Sequence, residues 1–251
     1  MWGWRALYVA LWAVIIASCM KSGLYFSADM YPILIGYGML CFFLGLYFIL
    51  PRSRSFYVKE KFISSTLRSY GTWVWWICPI VMLLLYGMHA SIGSLSVQGS
   101  VNQMLRWGLY GLCAVTAYAM GKLQGGRNML AFIWHTAGGI LVLSALLAIY
   151  SVVPLDHGIA HTSNRGISAT GARLGGLLQY PNTFGVLMAA FLLERLFSLI
   201  PLLQRGPSTA RLMLASLPLL PYTAALLLSE SRGAWLAAGV VTAIGLLLER
   251  R

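Results

Sequence analysis

The most informative stretch of the sequence is residues 129–153, MLAFIWHTAGGILVLSALLAIYSVV. It contains no Asp, Glu, Lys or Arg. An α-helix needs ~20 apolar residues to cross the hydrocarbon core of a bilayer, and this stretch is long enough. Unpaired backbone groups cannot face lipid, so a segment of this kind must be helical there. The stretch therefore predicts a transmembrane helix.

The composition extends this interpretation to the whole chain. Of its 251 residues, 59% are hydrophobic and only 10% are charged. A soluble domain usually carries roughly 25% charged residues, so this chain lacks the polar surface that a water-soluble monomer needs. Disordered, collagenous and disulfide-rich classes are excluded by composition as well.

Apolar runs between charged residues predict an all-α, polytopic transmembrane bundle that forms a single domain over residues 1–251. We expect eight spans, and these lie at residues 6–20, 33–50, 72–90, 105–121, 129–153, 181–200, 212–228 and 234–248.

The basic residues predict the orientation of the bundle. With the N-terminus in the cytoplasm, 13 of the 18 Lys and Arg residues fall on the cytoplasmic side and 5 on the external side. Cytoplasmic segments of membrane proteins are enriched in Lys and Arg. We therefore expect both termini to be cytoplasmic. The net charge of +12 is then a topology signal, and we expect the lipid membrane rather than nucleic acid as a partner.

Two predicted connections are longer than the others. The cytoplasmic one, residues 51–71, is basic and carries apolar residues at helical spacing. It is either a helix lying on anionic headgroups or a solvated loop that only fixes the topology. The external one, residues 153–180, contains His157, His161 and Arg165 among many Gly, Ser and Thr residues. Any chemistry is expected in this external loop.

A glycine-rich segment joins the external loop to the predicted sixth span and reads GARLGGLLQYPNTF over residues 171–184. Gly175 and Gly176 let backbone N–H groups approach an anion. The helix start that follows, where Asn182 lies, adds positive potential. Arg173 supplies a planar, permanently charged fork for phosphate oxygens. The alternative is a tight turn beside which Arg173 only reaches for the membrane interface.

A second polar segment, LSESRGAW over residues 228–235, precedes the predicted eighth span. Ser231 is suited to cap that helix. The predicted sixth and eighth spans run in the same direction, so Arg173 and Arg232 would face the same external surface. The alternative is a surface Arg232 that pairs with Glu230.

Together, the two segments resemble the O-antigen ligase and polymerase superfamily of bacterial membrane proteins. Members show an Arg, a Gly a few residues later, a Pro-Asn at a helix start and a Ser-Arg-Gly at another helix start. The matching residues here are Arg173, Gly176, Pro181-Asn182 and Ser231-Arg232-Gly233. The run Gln-Tyr-Pro-Asn-Thr-Phe-Gly is similar to the branch found in Gram-positive bacteria.

The resemblance implies a glycosyltransferase in the bacterial cytoplasmic (inner) membrane that needs no metal and no cofactor. Its donor would be a polyprenyl-pyrophosphate-linked glycan, and its acceptor a glycan, a lipid or a protein. Arg173 and Arg232 would stabilise the leaving pyrophosphate. We expect the donor to be bound by five further residues: Arg165, Gly175, Gly176, Asn182 and Ser231.

Members of the family continue past the Ser-Arg-Gly helix into a large external loop with a functionally important His. The resemblance therefore implies that this chain corresponds to the N-terminal and central part of the family architecture, with a possible C-terminal partner chain. His157 and His161 are the local candidates for the base, since a His can accept a proton near neutral pH. With Asp156 they would make a poor zinc site. The alternative is that both are polar loop residues without a catalytic role.

Two other function classes remain open at this point. The chain could be a non-catalytic binder or transporter of lipid-linked glycan, or a structural membrane subunit. Transport would favour charged residues deep in several spans, and only Glu194 and Arg195 lie in such a position.

Overall fold

The computed structural model describes residues 2–49, 73–92, 96–152, 154–155 and 157–249. The predicted basic connection at 51–71 and the side chain of Asp156 therefore lie outside the described residues. The chain divides into two compact units. The first comprises Met1–Ala17 and Leu24–Ile133, and the second comprises Ser18–Gly23 and Trp134–Arg251.

The first unit is built from apolar helices. Its elements are α1 (Trp2–Met20), α2 (Ser27–Ile49), α3 (Trp73–Ser91), α4 (Val97–Gly121) and the start of α5 (Gly126–Ile149). Helix α4 begins where the Ser96 side chain accepts a hydrogen bond from the Gly99 N–H at 3.1 Å. Such a cap satisfies one of the first-turn donors that have no partner within the helix. Leu11 and Met30 are fully buried in the core of this unit.

The second unit contains the rest of α5 and the helices that carry both polar motifs. These helices are α6 (Pro181–Gln204), α7 (Thr209–Ser216), α8 (Leu219–Leu228) and α9 (Arg232–Glu249). Helix α6 packs against both α8 and α9. The ring of Phe191 lies 4.2 Å from that of Trp134 and 5.4 Å from that of Tyr222, measured between centroids. These aromatic contacts join α5, α6 and α8 into one core.

The predicted seventh span is divided in two. Helix α7 ends at Ser216 and α8 begins at Leu219, with Pro218 between them. A proline has no N–H to donate to the preceding turn, so it interrupts the helical hydrogen bonds. The pair still provides an apolar segment, Thr209–Leu228, that is long enough to cross a membrane.

Five helical segments within the described residues are long and apolar enough to cross a bilayer. They are Gly3–Met20, Ser27–Leu46, Gly126–Ile149, Pro181–Gln204 and Thr209–Leu228. Two shorter apolar helices are Ile77–Ser91 and Arg232–Leu248. Large side chains such as Ile35, Phe42 and Leu236 are 61%, 63% and 70% exposed on these helices, as expected where lipid is the solvent. The prediction of a multi-pass helical membrane bundle is confirmed.

Every predicted span coincides with a described helix or, for the seventh, with a helix pair. Helix α4 starts at Val97 rather than at Leu105, because a polar stretch with Gln98 and Asn102 is helical too. The number of eight membrane crossings and the orientation of the termini stay predictions.

The predicted external loop contains a small sheet in addition to the helices. Strands β1 (Ile159–His161) and β2 (Ala172–Leu174) pair in antiparallel fashion, with Ala160 opposite Arg173. The sequence analysis predicted only a loop at residues 153–180. Strands of three residues are too short to show the alternation that predicts a strand.

Candidate functional site

The two glycines after β2 close a tight turn. The carbonyl of Gly158 accepts hydrogen bonds from the N–H groups of Gly175, at 2.9 Å, and Gly176, at 2.8 Å. Gly176 is in the left-handed region with a φ of 55°, and a Cβ there would lie 3.1 Å from the Cβ of Ala145. Both N–H groups are thus used inside the protein. The anion-binding role of Gly175 and Gly176 stays a prediction.

Arg173 connects three parts of the second unit. Its Nε donates to the carbonyl of Ser229 at 3.2 Å, and its Nη2 donates to the Asn182 side-chain oxygen at 2.6 Å and to the carbonyl of Glu230 at 3.3 Å. A cation at the carboxyl end of a helix, here α8, is electrostatically favourable. A guanidinium has five N–H donors. In the described part of the chain, these contacts use Nε and Nη2, and none of them uses Nη1.

Asn182 lies within the first turn of α6 rather than at its cap. The cap is Tyr180, and Pro181 is the first helical residue. Proline suits this position because its missing N–H would have no helical partner anyway. The exposed Asn182 side chain accepts the hydrogen bond from Arg173, so it orients the guanidinium.

Arg232 is exposed at the first position of α9. Its Nη2 donates to the carbonyl of Gly166 at 3.0 Å. The carboxylate of Glu230, which the sequence analysis considered as a partner for Arg232, accepts hydrogen bonds from another part of the loop. These come from the Ala169 N–H at 2.9 Å, the Thr170 N–H at 3.2 Å and the Thr170 hydroxyl at 2.9 Å.

These contacts form an ordered pairing between two segments that are distant in the sequence. We call residues 166–173 the arm and residues 229–232 the link. The carbonyls of Ser229 and Glu230 accept hydrogen bonds from the Arg173 side chain. The Glu230 carboxylate accepts one from the Ala169 N–H in the middle of the arm, and the Arg232 side chain donates one to the Gly166 carbonyl. The link therefore runs antiparallel to the arm. The pairing holds Arg173 and Arg232 on the same pair of segments, next to the start of α6, the end of α8 and the start of α9.

Glu230 is the residue of this site whose role the sequence analysis missed. Hydrogen bonds from Ser168, Thr170 and the Ala169 N–H lower the pKa of its carboxyl from 4.5 to about 2, against the opposing effect of burial. The carboxylate is therefore negatively charged at neutral pH. The signal available in the sequence was an acidic residue beside Arg232, but the partners lie about 60 positions away.

Ser231 is buried, with 3% of its surface exposed. Its carbonyl accepts the first hydrogen bond of α9, from the Trp235 N–H at 3.0 Å, which is the position predicted for a cap. Gly185 of α6 makes room for the link, because a Cβ there would lie 2.6 Å from Ser229 Oγ and 2.7 Å from Ser231 Cβ. Burial gives Ser231 a packing role, and its contact with the donor stays a prediction.

The ladder places one candidate base, His161, on the strand face opposite to Arg173. His161 is opposite Ala172 in the ladder, and successive side chains of a strand point to opposite faces, so His161 and Arg173 lie on different faces. His157 is exposed just before β1, and its φ is 60°. Arg165, also exposed, lies next to Gly166 and hence beside the contact of Arg232.

A second group of charged residues lies within the helices. Glu194 Oε2 is 3.7 Å from Arg195 Nε and 3.9 Å from His135 Nδ1. Glu194 and Arg195 therefore form an ion pair, with His135 as a further neighbour. Pairing lowers the cost of placing these charges in an apolar environment.

No cluster of three or more His, Cys, Asp or Glu residues that could hold a metal ion occurs among the described residues. A scan against protein-family models gave no match, and comparisons with curated proteins and with solved structures gave no significant similarity. The arm, the link and the apolar helices that carry them are therefore the features from which a function can be inferred.

Proposed function

We propose that this chain binds a polyprenyl-pyrophosphate-linked glycan at the external face of a bacterial cytoplasmic membrane and, together with a partner chain that supplies the base, transfers the glycan to an acceptor. The activity would be that of a metal-independent glycosyltransferase of the O-antigen ligase and polymerase type. The pairing of arm and link, which holds Arg173 and Arg232 on one structure at the ends of apolar helices, is the observation that carries the proposal.

The chemistry explains why two arginines are useful. Transfer breaks the bond between the sugar and the pyrophosphate and forms a bond between the sugar and the hydroxyl oxygen of a glycan, a lipid or a protein, while the hydroxyl proton passes to a base. The departing pyrophosphate gains negative charge, which positioned cations stabilise. The exposed Arg232 and the Nη1 hydrogens of Arg173 are available for this role, and the helix starts at Pro181 and Arg232 add positive potential.

The proposed topology has eight spans with both termini in the cytoplasm. This orientation is supported because it places 13 Lys and Arg residues on the cytoplasmic side and only 5 on the external side. It places the arm and the link outside, where the exposed Arg165 adds a further positive charge. An apolar donor tail would then remain in the bilayer while its pyrophosphate reaches the arginines.

The substitution Arg232→Lys tests the proposal, because Lys keeps the charge and loses the planar fork. We expect it to weaken the binding of a polyprenyl diphosphate to the protein in nanodiscs by ~1–3 kcal/mol, the value of a lost charge-assisted hydrogen bond. Arg205→Lys is the matched control, since Arg205 is an exposed arginine at the other end of α6. Equal affinities for Arg232→Lys, Arg205→Lys and the parent would contradict the proposal.

A non-catalytic binder of lipid-linked glycan is the second candidate. The observation in its favour is that His161 lies on the face of the ladder opposite to Arg173. Binding a donor without a base for the acceptor proton gives occupancy but little turnover. Transfer that appears when a partner chain supplies the base would favour the glycosyltransferase, and its absence under that condition would favour the binder.

A further inference from the structure

Glu230 lies at the centre of the paired segment. On one side of it, Arg173 binds the carbonyls of Ser229 and Glu230, and on the other side Arg232 binds Gly166. Between these contacts, the Glu230 carboxylate accepts hydrogen bonds from Ala169 and Thr170. It is therefore the central contact between arm and link.

A carboxylate at this place opposes the binding of an anion. It adds a negative charge close to two arginines that would receive a pyrophosphate, and like charges repel. Its main-chain conformation is also unfavourable, since Glu230 is a non-glycine residue with a φ of 47°. A site selected only for positive charge would not contain this residue.

We propose that Glu230 is a positioning residue of the anion site: its carboxylate holds the arm on the link, and this fixes Arg232 and Arg173 in register for one diphosphate. This inference rests on the proposed function, because the ligand is the diphosphate of the lipid-linked donor. Glu230 contributes through the two arginines and does not touch the ligand.

The positioning role and a purely electrostatic role predict opposite changes in the affinity for a polyprenyl diphosphate when Glu230 is replaced in Glu230→Ala. Without the carboxylate, the arm loses its central contact, and the affinity for a polyprenyl diphosphate in nanodiscs should fall roughly 10-fold, as for one lost charge-assisted hydrogen bond. If Glu230 acted only as a negative charge, its removal would strengthen binding. An affinity equal to or above that of the parent overturns the inference.

Thr170→Val is a second variant that leaves the charge of Glu230 in place. It removes only the hydroxyl that lies 2.9 Å from the Glu230 carboxylate. We expect Thr170→Val to lower the affinity as well, but by less than Glu230→Ala does. An unchanged affinity would contradict the positioning role. This variant also keeps the inference testable if Glu230→Ala fails to fold.

A double-mutant cycle distinguishes positioning from a general loss of stability. If Glu230 acts through Arg232, Glu230→Ala should weaken binding less in the Arg232→Lys background than in the parent. If the two substitutions change the free energy of binding additively, the inference is overturned. If Arg232→Lys alone leaves the affinity unchanged, the proposed function fails. If Arg232→Lys weakens binding and Glu230→Ala does not, only the positioning role fails.

Discussion

The carboxyl of Glu230 collects hydrogen bonds from a segment about 60 positions earlier in the chain, and these bonds stabilise its charged form. We expect carbon-13 NMR of labelled Glu230 to give a pKa of about 2 instead of 4.5. Because the folded-state pKa is lowered, the attachment of the arm is fully stabilised above about pH 4.5 and is lost as the pH falls towards about 2. Thr170→Val should raise the pKa of Glu230. A pKa near 4.5 for Glu230 in the parent protein would refute the described contacts.

Gly185 is a second residue whose importance comes from a contact across the chain. A Cβ at this position would lie 2.6 Å from Ser229 Oγ and 2.7 Å from Ser231 Cβ. Gly185→Ala should therefore push the link away from α6 and destabilise the protein by ~1–3 kcal/mol, as overpacking does. Thermal unfolding in detergent measures the change. Gly239→Ala is the control, since a Cβ at Gly239 meets nothing within 4 Å and Ala favours a helix.

The chemistry of single residues was predicted from the sequence where it depends on residue type and nearby neighbours. Arg173, Asn182 and Arg232 were identified in this way, and the structure brings Arg173 onto Asn182. The hydrogen bonds of Glu230 depend on the contact between the arm and the link, and the space at Gly185 depends on the contact between α6 and the link. A pattern within one segment contains no information about such contacts.

The helices were predictable because a bilayer requires a simple pattern, a long apolar run with all backbone groups paired internally. The predicted span at 181–200 corresponds to α6, which begins at Pro181 as expected. The division between α7 and α8 was not predicted, although Pro218 is a reason for it. The strands β1 and β2 were missed because three residues do not establish a period.

The orientation of the helices can be tested with single cysteines after replacement of Cys19, Cys41, Cys78 and Cys113. A cysteine at the exposed Ser163, in the loop before the arm, should react with an impermeant thiol reagent added to intact spheroplasts. A cysteine at the exposed Gln124, between α4 and α5, should react only after the membrane is permeabilised. The reverse pattern would place the arm and the link in the cytoplasm and would contradict the proposed function.

For the molecule as a whole, we expect the 251-residue chain to bind a polyprenyl-pyrophosphate donor but not to transfer its sugar unaided. Two cations suited to the leaving group are held together, whereas His161 lies on the face of the ladder away from Arg173. Proton transfer contributes about 10²–10⁴-fold to the rate of such reactions. The measurement is glycan transfer from donor to acceptor in vesicles in which the purified chain is the only protein.

Efficient turnover in these vesicles would contradict this expectation and would point to a base within the chain. His157→Ala and His161→Ala would then identify it, since the variant that lacks the base should bind donor normally and fail to transfer. An unchanged rate in both variants would exclude these two histidines from the reaction.

The separation of arm and link along the chain has a consequence for biosynthesis. About 60 residues separate Thr170 from Glu230, and ribosomes add about 5–20 residues per second, so the arm is made roughly 3–12 s before the link. During this interval Arg173 has no carbonyl groups of Ser229 and Glu230 to bind. The proposed anion site therefore assembles only after α8 and the link have been synthesised and inserted. Under the proposed function, a nascent chain that has not reached Ser229 cannot capture the lipid-linked donor prematurely.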